Sequence, residues 1–204
     1  YAHPKGGYHP LYDPNIPVSQ HSKALTAWLA SYFSHPFNNA LSDAQPERSL
    51  SQLALHIPLS TEVKAEYKQP SHENILPEAF AASVDPIPAE RSEGAFYGAM
   101  RNGTIYDQLC GALCLGPAPD SNVSNNNAEA QAPVLPDLRV IEIYGTRSMW
   151  TVQWGVWKLE EDLKRGGAGR PVGFARVEGG NHFLHWDDPD AFLKLMAEKC
   201  RQPY

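Results

Sequence analysis

Near the end of the chain, a predicted strand, a glycine-rich turn and a predicted helix follow one another directly. β-Branched and aromatic side chains favour a strand over residues 171–177, and helix-forming residues dominate 191–196. The turn between them reads Gly179-Gly180-Asn181-His182. A histidine in this position can present its ring at the edge of a sheet, where a general base reaches a nucleophile supplied by another loop. The pattern therefore predicts a sheet, and it indicates His182 as a candidate general base at the edge of that sheet.

A second strand is predicted over Leu138 to Gly145, followed by a helix over residues 146–164. The order strand, helix, strand, turn and helix indicates a βαβα unit with parallel strands and a right-handed crossover. Asp188 and Pro189 are typical of the cap and the first position of the last helix. Because two parallel strands do not form a stable sheet alone, the unit requires further strands from another chain or from a longer sequence.

The first 136 residues have no strand pattern and are predicted to be helical. Residues 1–20 are predicted to be an extended loop. Apolar residues at helical spacing then favour helices from His21 to near Pro36, from near Pro46 to Leu55, over 75–81 and over 89–115, the last broken at Asn102 and Gly103. Residues 117–136 are small and polar, which is typical of a mobile linker. We therefore predict a helical domain over residues 1–136 and a βαβα domain over residues 137–204.

Composition narrows the function classes. The chain has 204 residues, 42% of them hydrophobic, and a net charge of -6, which argues against nucleic acid and anionic membranes as partners. No apolar run approaches the roughly 20 residues that span a bilayer, so we predict a soluble, cytoplasmic protein. Cys110 and Cys114 are predicted to be small buried residues of a reducing compartment, and Cys200 leaves an odd thiol. The start at Tyr1 suggests a piece of a longer chain.

The strand Val140-Ile141-Glu142-Ile143-Tyr144-Gly145 and the turn Gly179-Gly180-Asn181-His182-Phe183, placed behind a helical segment, resemble the carboxyl-terminal half of the α/β-hydrolase family. The resemblance implies that residues 1–136 are the cap, residues 138–144 the seventh strand and residues 172–177 the eighth. It also implies that His182 is the catalytic general base. On this reading the fold class is α/β, a partial hydrolase fold with a mostly helical cap.

The sequence departs from the family pattern in two respects. The nucleophile elbow, Gly-x-Ser-x-Gly or a variant, is absent from the 204 residues, as is the loop of the oxyanion hole. In addition, Ser148 stands where many members place the triad acid, three residues after Gly145. A serine cannot stabilise an imidazolium by charge. Some members carry the acid after the sixth strand instead, which would place it upstream of Tyr1, and we prefer this interpretation. Glu142 and Glu178 are alternatives, but structural salt-bridge roles are favoured for both.

Other residues near the site have simpler interpretations. His185 could share a metal with His182, but no acidic or cysteine ligands accompany the pair, so no metal is predicted. The acidic run at residues 160–162 is predicted to be a solvated helix face. Aromatic residues in the helical segment are predicted to form its own core, although some could line a substrate pocket; they are Trp28, Tyr32, Phe33, Phe80, Phe96 and Tyr97.

These observations predict part of a hydrolase for a small apolar ester, epoxide or similar substrate, with no cofactor. The missing amino-terminal half, or a complementing chain, would supply the nucleophile, and the 204 residues alone would be inactive. Two alternatives remain open. The chain could be a hydrolase-like protein that binds a ligand or partner without catalysis, or a helical interaction module unrelated to hydrolases.

Overall fold

The computed structural model of the chain describes residues 4–36, 48–56, 76–83, 92, 94–115, 138–165 and 170–201. Seven helices and two strands lie in these ranges. In chain order they are α1 (His21–Ala30), α2 (Pro77–Ser83), α3 (Gly94–Arg101), α4 (Thr104–Ala112), β1 (Val140–Gly145), α5 (Trp150–Arg165), β2 (Val172–Val177), α6 (Leu184–Asp187) and α7 (Pro189–Arg201). Three 3₁₀ turns, Pro10–Tyr12, Val18–Gln20 and Leu50–Gln52, precede α2.

The two predicted strands form a parallel pair, β1 beside β2. Helix α5 connects them, so the chain is a mixed α/β structure with a small sheet. The last helix begins as predicted, because the Asp188 side chain accepts a hydrogen bond from the Ala191 amide (3.3 Å) and Pro189 occupies the first helical position. The strand, helix, strand and helix order predicted from the sequence is confirmed.

Helix α5 begins at Trp150, four residues later than predicted. The amides of Thr146 and Arg147 donate to the carbonyls of Val177 (3.0 Å) and Gly180 (2.8 Å), respectively, and these bonds hold the backbone beside the end of β2 instead of in a helical path. The Ser148 amide closes a turn onto the Gly145 carbonyl (3.2 Å). Residues 146–149 therefore form a loop that follows β1 and is hydrogen-bonded to the end of β2 and to the turn after it.

The amino-terminal predictions have mixed outcomes. Helices α3 and α4 are separated at Asn102 and Gly103, as predicted, because Gly103 adopts a left-handed conformation (φ +87°). The predicted helix over 46–55 is wrong in its described part, residues 48–55, where only the 3₁₀ turn Leu50–Gln52 forms and Leu53 is extended. The predicted linker, residues 117–136, lies outside the described residues, and the boundary at residue 136 stays a prediction.

The described chain divides into two compact units. One contains the described residues between 86 and 142 and between 155 and 174; the other contains those between 4 and 85, 143 and 154, and 175 and 201. The core of the second unit contains Trp28, Phe33 and Trp150, each 1% exposed or less. Trp28 and Phe33 are therefore core residues, as predicted, whereas Phe96 is exposed.

The first unit contains a polar network that corrects one prediction. Asp162, predicted to lie on a solvated face, is only 6% exposed. Its carboxylate accepts a hydrogen bond from the Tyr106 hydroxyl (2.8 Å) and forms an ion pair with Arg165. Burial, together with the neighbouring Cys110, raises the pKa of Tyr106 to about 12. Cys110 is buried as predicted, Cys114 is half-buried, and all three cysteines are thiols.

Candidate functional site

The turn that carries His182 is held against the loop after β1 by backbone contacts. Besides the bonds from Thr146 and Arg147, the Gly179 amide donates to the Thr146 hydroxyl (3.0 Å). Gly179 has a φ of +74°, which favours glycine. At the closest approach, a Cβ on Gly145 would overlap the carbonyl group of Gly180. The two loops therefore interlock at the carboxyl ends of the two strands.

Asn181 fixes the turn from inside. Its side chain is fully buried, and its amide nitrogen donates to the Ala30 carbonyl and to the Asp187 carboxylate, both at 2.8 Å. Its side-chain oxygen accepts from the Phe183 amide (2.9 Å). Because these bonds use both ends of the amide group, they set the path of the backbone on either side of His182.

His182 lies five positions after the last residue of β2, and its side chain is half-buried. Its ring packs at a tilt against that of Phe183, with centroids 5.2 Å apart. Within the described ranges, neither ring nitrogen has a hydrogen-bond partner. Burial, and secondarily the charge of His185, lowers the pKa of His182. This shift favours the neutral ring, which is the form that accepts a proton.

The position three residues after Gly145 is built into the core. Ser148 is 1% exposed, and its carbonyl accepts a hydrogen bond from Nε2 of His35 at 2.7 Å. The other ring nitrogen of His35 accepts from the Ala54 amide at 3.0 Å. His35 is itself fully buried. Ser148 thus serves as part of a buried backbone network.

The alternative acids differ in their surroundings. Burial raises the pKa of Glu142, which is half-buried within β1. Glu178 is exposed and pairs with Arg176 (2.6 Å), so it has the structural ion-pair role considered from the sequence. His185 is exposed, and its ring contacts Phe183 and Phe192. Among the described residues, no three or more His, Cys, Asp or Glu side chains lie together so that they could hold a metal ion.

A cleft of about 400 Å³ opens beside the turn in the second unit. One wall is formed by residues 177–181, and another by Ala191, Phe192 and Leu195 of helix α7. Tyr32 and Asp187 also line it, and the Tyr32 hydroxyl donates to the Asp187 carboxylate (3.3 Å). Burial and this carboxylate raise the pKa of Tyr32. His182 is not among the residues that line the cleft, although Asn181 and Leu184 are.

Sequence reasoning did not single out Asn181, His35 or the Tyr32–Asp187 pair. Asn181 belongs to the glycine-rich turn, and its side-chain amide next to two glycines was the one sequence feature that could have indicated its structural role. The contacts of His35 and Tyr32 join residues far apart in sequence, and no spacing pattern encodes them.

No family model, curated protein or solved structure matches this chain. None of the described helices is long and apolar enough to cross a bilayer.

Proposed function

We propose that this chain is the carboxyl-terminal part of an α/β-hydrolase in which His182 is the general base. The observation that carries the proposal is the placement of His182 in an interlocked turn at the carboxyl end of a parallel strand pair. Ligands of α/β sheets bind outside the carboxyl ends of the strands. A base in this turn is therefore on the side of the sheet where a substrate would bind.

The chemistry of His182 supports the role. A general base must be neutral at the working pH and must have a ring nitrogen within reach of the proton that it removes. Burial favours the neutral ring, and no described residue engages its nitrogens. The proposed ring accepts a proton from the nucleophile, or from a water that attacks the covalent intermediate, and returns it to the leaving group.

The proposed substrate class comes from the resemblance to the α/β-hydrolase family. A small apolar ester, epoxide or related bond is opened by a nucleophile and a base, and this chemistry needs no organic cofactor or metal. None of the 204 residues forms an elbow motif, so the nucleophile of the proposed reaction comes from another segment or another chain. Because Ser148 cannot be the triad acid, the proposed acid comes from that segment as well, with Glu142 and Glu178 as the alternatives within the chain.

A non-catalytic, hydrolase-like binding protein is the second candidate, and the Ser148 position favours it. The residue is buried, and its carbonyl is bonded to His35. A protein without a triad acid has no group that stabilises a charged His182, and loss of such an acid costs about 10⁴ in rate in a serine protease. The cleft beside the turn would then hold a ligand that is not transformed.

The test is expression of the complete reading frame that contains these residues, followed by hydrolysis of p-nitrophenyl butyrate. The proposal predicts turnover and a fall in kcat/KM of about 10²-fold to 10⁴-fold in His182→Ala. The matched control is His185→Ala, an exposed histidine three residues away, which we expect to retain activity.

The outcomes separate the two candidates. Equal loss of activity in His182→Ala and His185→Ala would contradict the assigned base. A reading frame that lacks an elbow and a protein without turnover would reject the enzyme and favour the binding protein.

A further inference from the structure

We infer that His35 is a pH-sensitive latch in the second unit, which releases residues 48–56 when its ring is protonated. The inference concerns a buried histidine that the proposed reaction does not use, and it stands whether or not the chain belongs to a hydrolase. The ring makes two hydrogen bonds: it donates one to the Ser148 carbonyl and accepts one from the Ala54 amide. We call this pair of hydrogen bonds the His35 latch.

The two hydrogen bonds determine the tautomer of the ring. The Ser148 carbonyl can only accept, so Nε2 of His35 carries the hydrogen in that bond (2.7 Å). The Ala54 amide can only donate, so Nδ1 must be unprotonated to accept it (3.0 Å). The neutral ring satisfies both partners, and the doubly protonated ring cannot, because Nδ1 would then point a hydrogen at the amide hydrogen of Ala54.

The surroundings oppose a positive charge on the ring. His35 is fully buried, and its ring stacks on Phe33 with centroids 6.1 Å apart. In the described part of the chain, residues 31–36, 48–56 and 146–149 supply the contacts of the ring given above, and these residues include no Asp or Glu. Their cationic or titratable side chains are Tyr32, Arg48, His56 and Arg147. Burial and the Arg147 charge lower the pKa of His35, while the bond to Ser148 opposes the shift.

Protonation of Nδ1 would break only one of the two hydrogen bonds, the one from the Ala54 amide. The bond from Nε2 to Ser148 survives, because that nitrogen remains a donor. The bond from Ala54 is lost, and residues 48–56 lose their tie to the ring. The loop of residues 146–149 keeps its bonds from Phe33 to Arg147 (2.9 Å) and from Arg147 to Gly180 (2.8 Å). The segment that holds the indole nitrogen of Trp28 through the Leu55 carbonyl (3.2 Å) is therefore the part that moves.

The test is amide hydrogen exchange on the whole chain, at about pH 7.5 and at a lower pH at which the nitrogen chemical shifts of the His35 ring show both ring nitrogens protonated. We expect the protection factor of the Ala54 amide to fall by about tenfold at the lower pH, the effect of losing one hydrogen bond. That of the Arg147 amide should change by less than about twofold. Equal losses at Ala54 and Arg147, or no loss at Ala54, would overturn the latch.

Two variants assign the effect to the right histidine. His35→Gln keeps a donor and an acceptor but cannot titrate in this range, so the pH dependence of Ala54 protection should disappear. His56→Gln removes the exposed histidine two residues from Ala54 and should preserve it. The reverse pattern would overturn the proposal.

A measurement on the unmodified chain covers the case in which His35→Gln does not fold. Nitrogen chemical shifts of the His35 ring should show a hydrogen on Nε2 alone at the higher pH. The appearance of the second ring proton should share its midpoint with the loss of Ala54 protection. Separate midpoints would contradict the latch.

Discussion

Replacement of Gly145 by alanine tests the interlocked loops most sharply. The added Cβ would overlap the carbonyl group of Gly180 and would lie 2.6 Å from the carbonyl oxygen of Asn181. All of these atoms are backbone, so no side-chain rotation relieves the overlap. Residues 179–181 would have to move away from β1 until ordinary contact, 3.4 Å or more, is restored.

The cost follows from the bonds that such a movement breaks. The Arg147 amide would lose its acceptor on Gly180, and the Gly179 amide would lose the Thr146 hydroxyl. Each buried polar group left unsatisfied costs about 1–3 kcal/mol. We therefore expect Gly145→Ala to lower the free energy of unfolding by about 3 kcal/mol or more. For a chain of this size, such a loss lowers Tm by roughly 6–12 °C.

The assay is urea unfolding followed by circular dichroism, with Gly155→Ala as the matched control. Gly155 lies inside α5, and a Cβ there meets nothing within 4 Å. The control should be stabilised by up to about 1 kcal/mol, because alanine favours a helix over glycine. A Gly145→Ala variant as stable as the unsubstituted chain would refute the close approach of the two loops.

Three further predictions concern the buried polar groups. Asp162→Asn should lower the free energy of unfolding by about 2 kcal/mol. The control Glu161→Gln should lower it by less than about 1 kcal/mol, because the pair of Glu161 with Lys158 is half-exposed. Equal urea midpoints of the two variants would contradict this contrast. Asn181→Ala should lower the free energy of unfolding by about 2–4 kcal/mol in the same assay. The control Asn15→Ala, at an exposed position, should lower it by about 0.5 kcal/mol or less. Comparable losses in the two variants would contradict the role of Asn181. Stability should fall as pH decreases below 6.5, because the pKa values of His35 and His182 are lowered in the folded state and the unfolded chain takes up those protons first. The contribution of these two histidines is complete above pH 6.5 and is lost as pH falls through their folded pKa values. Glu142, whose pKa is raised, acts in the opposite direction. A smaller slope in His35→Gln isolates the His35 part, and an identical slope would count against it.

The elements that the sequence predicted well are those set by neighbours along the chain. The β-branched runs of β1 and β2 and the Asp188 cap of α7 depend on local side chains. The break between α3 and α4 at Gly103 likewise follows from one residue's conformational freedom.

Partners distant in sequence decide the features that were not predicted. The amides of Thr146 and Arg147 bond to residues 177 and 180, which no helical periodicity can show. His35 bonds to residues 19 and 113 positions away. Asp162 was placed on a solvated face because it follows Glu160 and Glu161, yet Tyr106, 56 positions earlier, covers it.

The pKa of the His182 ring, measured by NMR titration of this chain, tests most directly whether this residue can be a general base. The account predicts a value below the ordinary 6.5, because burial disfavours the charged ring. It also predicts that the value rises in His185→Ala, which removes a nearby positive charge. A pKa at or above 6.5 would mean that the ring is solvated or paired with an acid, and would contradict the neutral, half-buried base on which the proposed function depends.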